Sequence, residues 1–170
     1  MEEKFVIPSA GAIIERNIEG TKYILMQKRK KKNEKIEFGL WEIPAGKIRE
    51  YENIYEALRR EVKEETNLDI IDIIDEVKCE LKTSLGYTIT NIHPFNIVQN
   101  MSGGYSILVL VFLCKAEGKL ISNPKENEML QWRDVREVER ELEKYPERFY
   151  PMHLLSLKKY FLQLKQSCLQ

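Results

Sequence analysis

The chain of 170 residues lacks an excess of charge of either sign and lacks a disulfide pattern. Its 27 Lys and Arg residues balance 27 Asp and Glu residues, so the overall charge does not predict a protein that wraps a polyanion. The three cysteines, Cys79, Cys114 and Cys168, are odd in number and form no CxxC pair. This usage is typical of free thiols in a reducing compartment, and we expect a cytoplasmic protein.

Long apolar runs are also missing. No stretch reaches the length that spans a bilayer, and the amino-terminal MEEKFVIPSAGA has no apolar run bounded by basic residues, as a signal peptide would. The sequence therefore predicts no membrane association. A chain of this length suits one domain with a substantial core, so we expect residues 1–170 to form a single domain.

What the sequence does contain is a helix rich in carboxylates, within GKIREYENIYEALRREVKEETNL at 46–68. Asn53 is a suitable N-cap, and Glu56 three residues later completes a capping-box pattern. No Gly or Pro interrupts the residues that follow. Asn67 tolerates the left-handed conformation found just past a helix terminus, so the sequence predicts a helix that ends there.

Three glutamates of this helix, Glu61, Glu64 and Glu65, are spaced at i, i+3 and i+4 and share one surface. That surface overlaps the predicted apolar stripe. The stripe consists of Ile54, Ala57, Leu58 and Val62. Charge runs usually form a solvated helix face, but a carboxylate at the edge of a buried stripe needs a compensating charge. A cluster of Arg or Lys, or bound Mg²⁺ or Mn²⁺, would provide it.

The segment 46–68 resembles the Nudix box. It has Gly46, five residues, Glu52, seven residues and then REVKEETNL. One position departs from the family pattern, because Asn67 stands where the family usually has Gly. The preceding LWEIPAG at 40–46 also resembles the strand and loop that lead into the box.

The resemblance implies an α/β/α sandwich with a mixed β-sheet between helices. It also implies a metal-dependent hydrolase that cleaves the pyrophosphate linkage of a nucleoside diphosphate linked to another moiety. WEIPAGK looks similar to hydrolases of ADP-ribose and nucleotide sugars, yet the downstream proline that accompanies ADP-ribose specificity is missing around Ser84. A nucleoside triphosphate, a dinucleoside polyphosphate or a capped RNA end therefore stays open as substrate. The alternative is a non-catalytic Nudix-like module that senses a nucleotide or binds RNA; the three glutamates favour the enzyme.

The resemblance further implies roles for individual residues. The ligands of Mg²⁺ or Mn²⁺ would be Glu61, Glu65, Glu64 as a further ligand or base, and a backbone carbonyl of Ala45 or Gly46. Arg60 and Glu52 resemble the family's supporting pair. Such an arginine either orients a glutamate through a charge-assisted hydrogen bond or is purely structural.

A further carboxylate from a downstream loop often joins the site in this family. Glu126 and Glu128 lie in NPKENEMLQW, just before a short strand predicted at 130–132. Either is a candidate general base, and Glu128 is our choice. The spacing does not separate the two, and a solvated loop acid is the alternative for each.

Other features have simpler interpretations. The basic run from Lys28 to Lys32 is interpreted as a solvated loop between strands rather than a contact for RNA or a phosphorylated substrate, because aromatic interleaving is absent. His93 and His153 have no spacing typical of a metal site and are interpreted as surface or packing residues. Three aromatic residues near the irregular middle segment are also assigned to packing: Tyr87, Phe95 and Tyr105.

Periodicity and turn residues predict the remaining elements. Strands are expected at 5–16, 22–28, 70–82 and 106–116, with turn-rich NIVQNMSGG between the last two. Asp134 begins a helix that continues to about residue 144, and Pro151 begins a last helix. Five residues of that helix are expected to pack inward: Leu154, Leu155, Leu157, Phe161 and Leu164. Its apolar face completes the core or pairs with a second copy, so a homodimer stays open.

Overall fold

The computed structural model of the protein describes residues 3–30, 36–104 and 106–167, so the predictions for Lys31, Lys32, Tyr105 and Cys168 lie outside the described residues. Within these ranges the chain forms ten strands and three α-helices. The strands are β1 (Ile7–Ile18), β2 (Thr21–Arg29), β3 (Trp41–Glu42), β4 (Ala45–Lys47), β5 (Asp69–Ile73), β6 (Leu81–Ser84), β7 (Tyr87–Thr90), β8 (Asn96–Gln99), β9 (Ile107–Glu117) and β10 (Asn127–Asp134). The helices are α1 (Ile54–Thr66), α2 (Val135–Lys144) and α3 (Pro151–Ser167).

One large mixed sheet organises the molecule. In the described residues its main strands follow the order β10-β2-β1-β9-β5, and β3, β4 and β8 lie beside β2, β1 and β9. The central strands β1 and β9 run parallel, with Ile7 beside Ile107 and Glu15 beside Lys115. A parallel pair needs a long crossover connection. The chain between β1 and β9 contains α1, so this crossover brings the acidic helix onto the sheet.

Helices cover both faces of this sheet. Ala12 and Ile14 of β1 belong to the same buried cluster as Leu58 of α1. Ile13, which points to the opposite face because strand side chains alternate, packs in a second cluster with Leu157 of α3. The expected α/β/α sandwich is therefore confirmed.

The first helix forms as its sequence predicts. The Asn53 side chain accepts a hydrogen bond from the backbone N–H of Tyr55 at 2.8 Å, and Asn67 takes the left-handed conformation with φ of 64°. The predicted stripe is buried: Ile54, Ala57, Leu58 and Val62. Burial of this stripe fixes the rotation of α1 about its axis, and that rotation sets the direction in which the glutamates point.

The single strand predicted at 70–82 is wrong. Strand β5 ends at Ile73, Asp75 takes a left-handed φ of 68°, and a one-turn 3₁₀-helix follows at Glu76–Lys78. The Arg59 guanidinium binds both carboxylate oxygens of Glu76 at 2.8 and 2.6 Å, which holds this turn on α1. The chain then enters a separate two-stranded hairpin of β6 and β7. The alternation of apolar and polar residues therefore continued across a break in the strand.

Two smaller predictions also fail. The segment taken as turn-rich contains β8, which pairs antiparallel with β9. Leu155 is 61% exposed rather than packed inward, because it lies about 160° around the helix from Leu157, which faces the core. Leu157 and Phe161 are buried as predicted. In the described part of the chain, no helix combines the length and apolarity needed to cross a bilayer.

The left-handed conformation of Asn67 at the end of α1 leads to a prediction about stability. Asn67→Ala should lower the free energy of unfolding by about 1 kcal/mol, because a Cβ without a local polar partner disfavours this conformation. The variant also loses the hydrogen bond from Asn67 Nδ2 to the carbonyl of Lys119. Asn67→Gly, the matched control, loses the same hydrogen bond but relieves the backbone. Urea unfolding of the three proteins measures the difference, and equal stability of the Ala and Gly variants would contradict it.

Candidate active site

A cleft of about 640 Å³ lies between β4, the following loop and the second half of α1. Most of its lining is charged. The lining residues are Ala45, Gly46, Lys47, Arg49, Arg60, Glu61, Glu64, Glu65, Asn123 and Glu126. The structure therefore brings together the carboxylates and the backbone segment that the sequence singled out.

Glu65 is the most deeply placed of the three glutamates, with 5% of its surface exposed. Its Oε2 atom accepts a hydrogen bond from Gln27 Nε2 at 2.8 Å and another from the backbone N–H of Ala45 at 3.2 Å. Hydrogen bonds of this kind are necessary for a buried carboxylate, whose desolvation is otherwise very costly. Since Gln27 lies in β2 and Ala45 in β4, this one side chain joins α1 to two strands of the sheet.

Glu61 lies against Gly46, where a side chain would not fit. A Cβ atom added at Gly46 would overlap the Glu61 carboxyl group. Gly46 sits beside Ala10 of β1 in the sheet, and its carbonyl accepts a hydrogen bond from Ser9 Oγ at 2.7 Å. The absent side chain therefore permits the close approach of the helix carboxylate to the backbone of β4.

Arg60 and Glu52 form a two-pronged ion pair. Arg60 Nε lies 2.7 Å from Oε1 of Glu52, and its second terminal nitrogen lies 2.8 Å from Oε2. Hydrogen bonding to Arg60 lowers the pKa of Glu52 to about 2, and the same pair raises the pKa of Arg60. Arg60 also donates to Oε1 of Glu61 and lies 3.7 Å from Oε2 of Glu64. A single guanidinium thus links the loop to the acidic surface of α1.

Glu64 lies at the mouth of the cleft, where 51% of its side chain is exposed. The guanidinium of Arg49 is 3.8 Å from its carboxylate. Asn123, in the loop before β10, donates from its side chain to the backbone carbonyl of Glu64 at 3.0 Å. The downstream loop is therefore attached directly to the acidic turn of the helix.

The structure distinguishes the two candidate acids, Glu126 and Glu128, by their positions. Glu126 lines the cleft, and its N–H donates to the carbonyl of Asn123 within the loop. Glu128 is not among the lining residues. It lies in β10 opposite Lys28 of β2, and its carboxylate is 3.7 Å from Lys30 Nζ. The geometry thus favours Glu126 over our first choice, Glu128.

The residues of the cleft suit a hard divalent cation. In residues 3–30, 36–104 and 106–167, no three carboxylate, imidazole or thiol side chains already stand in a metal-binding cluster. The donor set nevertheless consists of carboxylate and backbone oxygens, which Mg²⁺ and Mn²⁺ prefer. The space beside Gly46, which a Cβ would fill, leaves the Glu61 carboxylate next to the backbone of β4. These residues therefore fit such an ion.

The sequence interpretation missed a buried polar network behind Glu65. Asn127 donates from Nδ2 to Gln27 Oε1 at 2.9 Å and to the backbone carbonyl of Glu65 at 2.8 Å. Gln27 also donates to Glu42 at 3.3 Å, and Glu42 binds Arg29 at 3.0 Å. The available signal was the alternation in β2, which gives Gln27 and Arg29 the same inward direction.

The basic run is not simply a solvated loop, as the sequence suggested. Lys28 and Arg29 belong to β2, and Arg29 is buried with its guanidinium 4.2 Å from the ring of Tyr150. His153 is buried as well, which agrees with a packing role, and its Nδ1 accepts from the N–H of Ile43 at 3.2 Å. Arg29 is therefore part of a strand that forms the site, and His153 is attached to the segment between β3 and β4.

A second, smaller cavity of about 30 Å³ adjoins the cleft. It shares Ala45, Gly46 and Lys47 with the cleft, so strand β4 borders both spaces. Its other lining residues are Ser9, Arg29, Glu42, Ile107, Val109, Tyr150 and His153. A cavity of this volume holds about one water molecule and is too small for a ligand.

Several solved structures have a fold similar to that of this chain. A MutT protein from Methanosarcina mazei Go1 has a similar fold, with a TM-score of 0.65, 20% identity and coverage of 97% of this chain and 99% of that chain. An Ap4A hydrolase from C. elegans in a binary complex has a TM-score of 0.57, 16% identity and coverage of 95% and 99%. The NUDIX domain of Shewanella oneidensis NrtR, complexed with ADP ribose, has a TM-score of 0.63, 13% identity and coverage of 95% and 90%.

At these identities, the solved structures show a shared fold. A comparison with curated protein sequences found no match. The family model of the NUDIX domain matches residues 7–154, which include β1, the cleft and the first turn of α3. Because that match spans most of the chain, this protein belongs to the Nudix family.

Proposed function

We propose that this protein is a metal-dependent hydrolase that cleaves the pyrophosphate linkage of a nucleoside diphosphate joined to another moiety. This proposal rests on the positions of the three glutamates. Glu65 is hydrogen-bonded to the backbone of β4, Glu61 lies against Gly46, and Glu64 lies at the mouth of the cleft. A module that only senses nucleotides has no need for three carboxylates beside a strand that approaches them closely. The arrangement supports catalysis over the non-catalytic alternative.

The charge of the substrate explains why such a site needs a cation. The oxygens of a diphosphate repel both the glutamates and any anionic nucleophile. The cleft would hold Mg²⁺ or Mn²⁺, which would neutralise that charge and lower the pKa of a coordinated water. We propose that Glu61, Glu64 and Glu65, with a carbonyl of Ala45 or Gly46, hold such ions.

The protein's own residues would position the reaction. Gln27 and the Ala45 N–H fix the direction of the Glu65 carboxylate, and Arg60 orients Glu61 from the other side. Preorganised groups of this kind act without reorganising when charge develops in the transition state. Glu126 lines the cleft and is our candidate for the downstream general base in place of Glu128.

Basic side chains of the cleft suit the phosphate groups of such a substrate. Lys47 and Arg49 line the cleft and would bind phosphate oxygens. The ADP ribose complex and the Ap4A hydrolase among the similar structures make ADP-ribose and dinucleoside polyphosphates the first compounds to test. Nucleoside triphosphates and capped RNA belong in the same panel.

Replacement of Glu65 provides the first test. With Mg²⁺ and the nucleotide panel, the native protein should hydrolyse at least one diphosphate compound, and Glu65→Gln should be slower by about a hundredfold or more. Glu56→Gln is the matched control, since Glu56 is an exposed glutamate of the same helix. Calorimetric titration with Mn²⁺ should show weaker binding only in the Glu65 variant. No hydrolysis of any compound by the native protein would contradict the enzyme, and equal rates for both variants would contradict the role of Glu65.

Replacement of Gly46 tests the close approach of helix and strand. Gly46→Ala should lower kcat by about a hundredfold, because the new Cβ displaces the Glu61 carboxylate and a shift of about 1 Å is enough for such a loss. A double-mutant cycle provides the control. In a Glu61→Ala background, Gly46→Ala should cause little further loss. Full additivity of the two changes would contradict a shared cause.

The pair of Arg60 and Glu52 predicts a pH dependence of stability. The folded pKa of Glu52 is about 2, below its usual value of 4.5, so the pair stabilises the folded state fully above about pH 5 and progressively less as the pH falls towards 2. Glu52→Gln should therefore be less stable than the native protein at pH 7, and the difference should shrink below pH 4.5. Glu50→Gln, in the same loop and exposed, is the control. A difference for Glu52→Gln that does not change with pH would contradict this prediction.

A further inference from the structure

In the described residues, strands β6 and β7 pair with each other and with no other strand. All residues of both strands are exposed, including Leu81, Tyr87 and Ile89. Tyr87 is thus not the packing residue that the sequence suggested. A two-stranded hairpin alone is at best marginally stable in water, and further strands or a packing partner are needed for stability. The hairpin therefore has the properties of an element that is completed by something else.

The base of the hairpin is firmly attached to α1. The hydroxyl of Tyr55 lies 2.7 Å from Sγ of Cys79 and accepts a hydrogen bond from the N–H of His93 at 3.3 Å. Across the base, the N–H of Glu80 donates to the side chain of Asn91 at 2.6 Å. These contacts fix the direction in which the hairpin projects, so a partner would meet a preorganised surface.

The tip of the hairpin holds an apolar residue in the left-handed backbone conformation. Leu85 and Gly86 form a two-residue turn with φ of 51° and 82°. Asn-Gly is the preferred pair for such a turn, because a left-handed φ is costly for an apolar side chain. Leu85 is also 95% exposed, so contacts within the chain do not offset the strain. A contact with another molecule would offset this strain.

The two edges of the hairpin differ in charge. Strand β7, with Tyr87, Thr88, Ile89 and Thr90, has no charged residue and no proline, whereas β6 carries Lys82. Exposed edge strands normally carry charges or proline that prevent pairing with another chain. The edge of β7 has none of these protections, and its Thr, Tyr and Ile residues have high β-propensity.

We propose that β7 pairs antiparallel with β7 of a second copy of this chain across a two-fold axis. A strand that pairs with itself must not place like charges opposite each other, and β7 meets this condition because it has no charge. The register follows from the hairpin, in which Ser84 stands beside Tyr87 and Thr83 beside Thr88. Hydrogen-bonded and non-hydrogen-bonded pairs alternate along an antiparallel ladder, so closure of the turn by Ser84 and Tyr87 leaves the backbone groups of Thr88 directed outward.

An antiparallel two-fold pairing keeps each face of the sheet continuous, so residues of the same face stand opposite each other. With Thr88 on the axis, Tyr87 lies opposite Ile89 of the partner subunit. Pairs of an aromatic and a β-branched residue are favourable across strands. The result is a four-stranded sheet with a Tyr and Ile cluster on one face.

Paired lysine substitutions test this interface. The native protein should be a dimer by sedimentation equilibrium, and Thr88→Lys should raise the dimer dissociation constant by about tenfold or more, because two lysines would meet on the axis. Thr83→Lys is the matched control, since Thr83 is the exposed threonine beside Thr88 on the other strand. Both variants should keep the thermal stability of the monomer and the nucleotide hydrolysis. A monomeric native protein, or equal dissociation by both substitutions, would overturn the proposal.

Cysteine substitution tests the register. Thr88→Cys should form an intermolecular disulfide under mild oxidation, and Thr83→Cys should form no more than the native protein, whose own cysteines set the background. Cross-linking of Thr83→Cys at the same rate as Thr88→Cys would overturn the assignment. Sedimentation with vesicles of phosphatidylcholine and phosphatidylserine checks a lipid surface as the occupant. Binding to vesicles without dimer formation would also overturn the proposal.

Discussion

The anchoring of the Glu65 carboxylate between two strands is the interaction on which the site depends. Its hydrogen bonds from Gln27 and from the Ala45 N–H hold α1 against β2 and β4. The buried apolar stripe sets the rotation of α1, and the directed hydrogen bonds to the buried carboxylate hold the helix at one position along the strands. The positions of the other carboxylates follow from this attachment, since they lie on the same turns of the helix.

Glycine and arginine complete the arrangement in complementary ways. Gly46 removes the steric barrier between Glu61 and the backbone of β4, and Arg60 supplies the positive charge that offsets the repulsion among the acids. Arg60 is itself held by Glu52 at the start of the helix. The three glutamates are therefore carried by one rigid element, and Glu64 is the most exposed of them. The same helix supports the projecting hairpin through Tyr55 and Arg59, so one element carries both the acidic site and the exposed strand edge.

Sequence reasoning succeeded for α1 and failed for the segment after β5. The helix signals are local, because a cap residue, a period of 3.6 and a left-handed terminus each involve residues within a few positions of one another. At 70–82 the alternation of apolar residues predicted one strand, but the left-handed Asp75 and the ion pair of Arg59 with Glu76 break it. Nothing in the alternation itself distinguishes residues that pair with β9 from residues that project into solvent.

The sequence by itself determined the carboxylate helix, the glycine before it and the family to which they belong, because all of these are encoded in one continuous segment. Tertiary structure alone decided which partners complete the site. Gln27 reaches Glu65 across 38 residues, because α1 packs on the sheet. Asn127 reaches Gln27 across 100 residues, because β10 pairs with β2. The same pairing holds Glu128 opposite Lys28 in the sheet and leaves Glu126 in the loop beside the cleft. The choice between Glu126 and Glu128 cannot be predicted from their spacing along the chain, because it depends on strand pairing between distant segments.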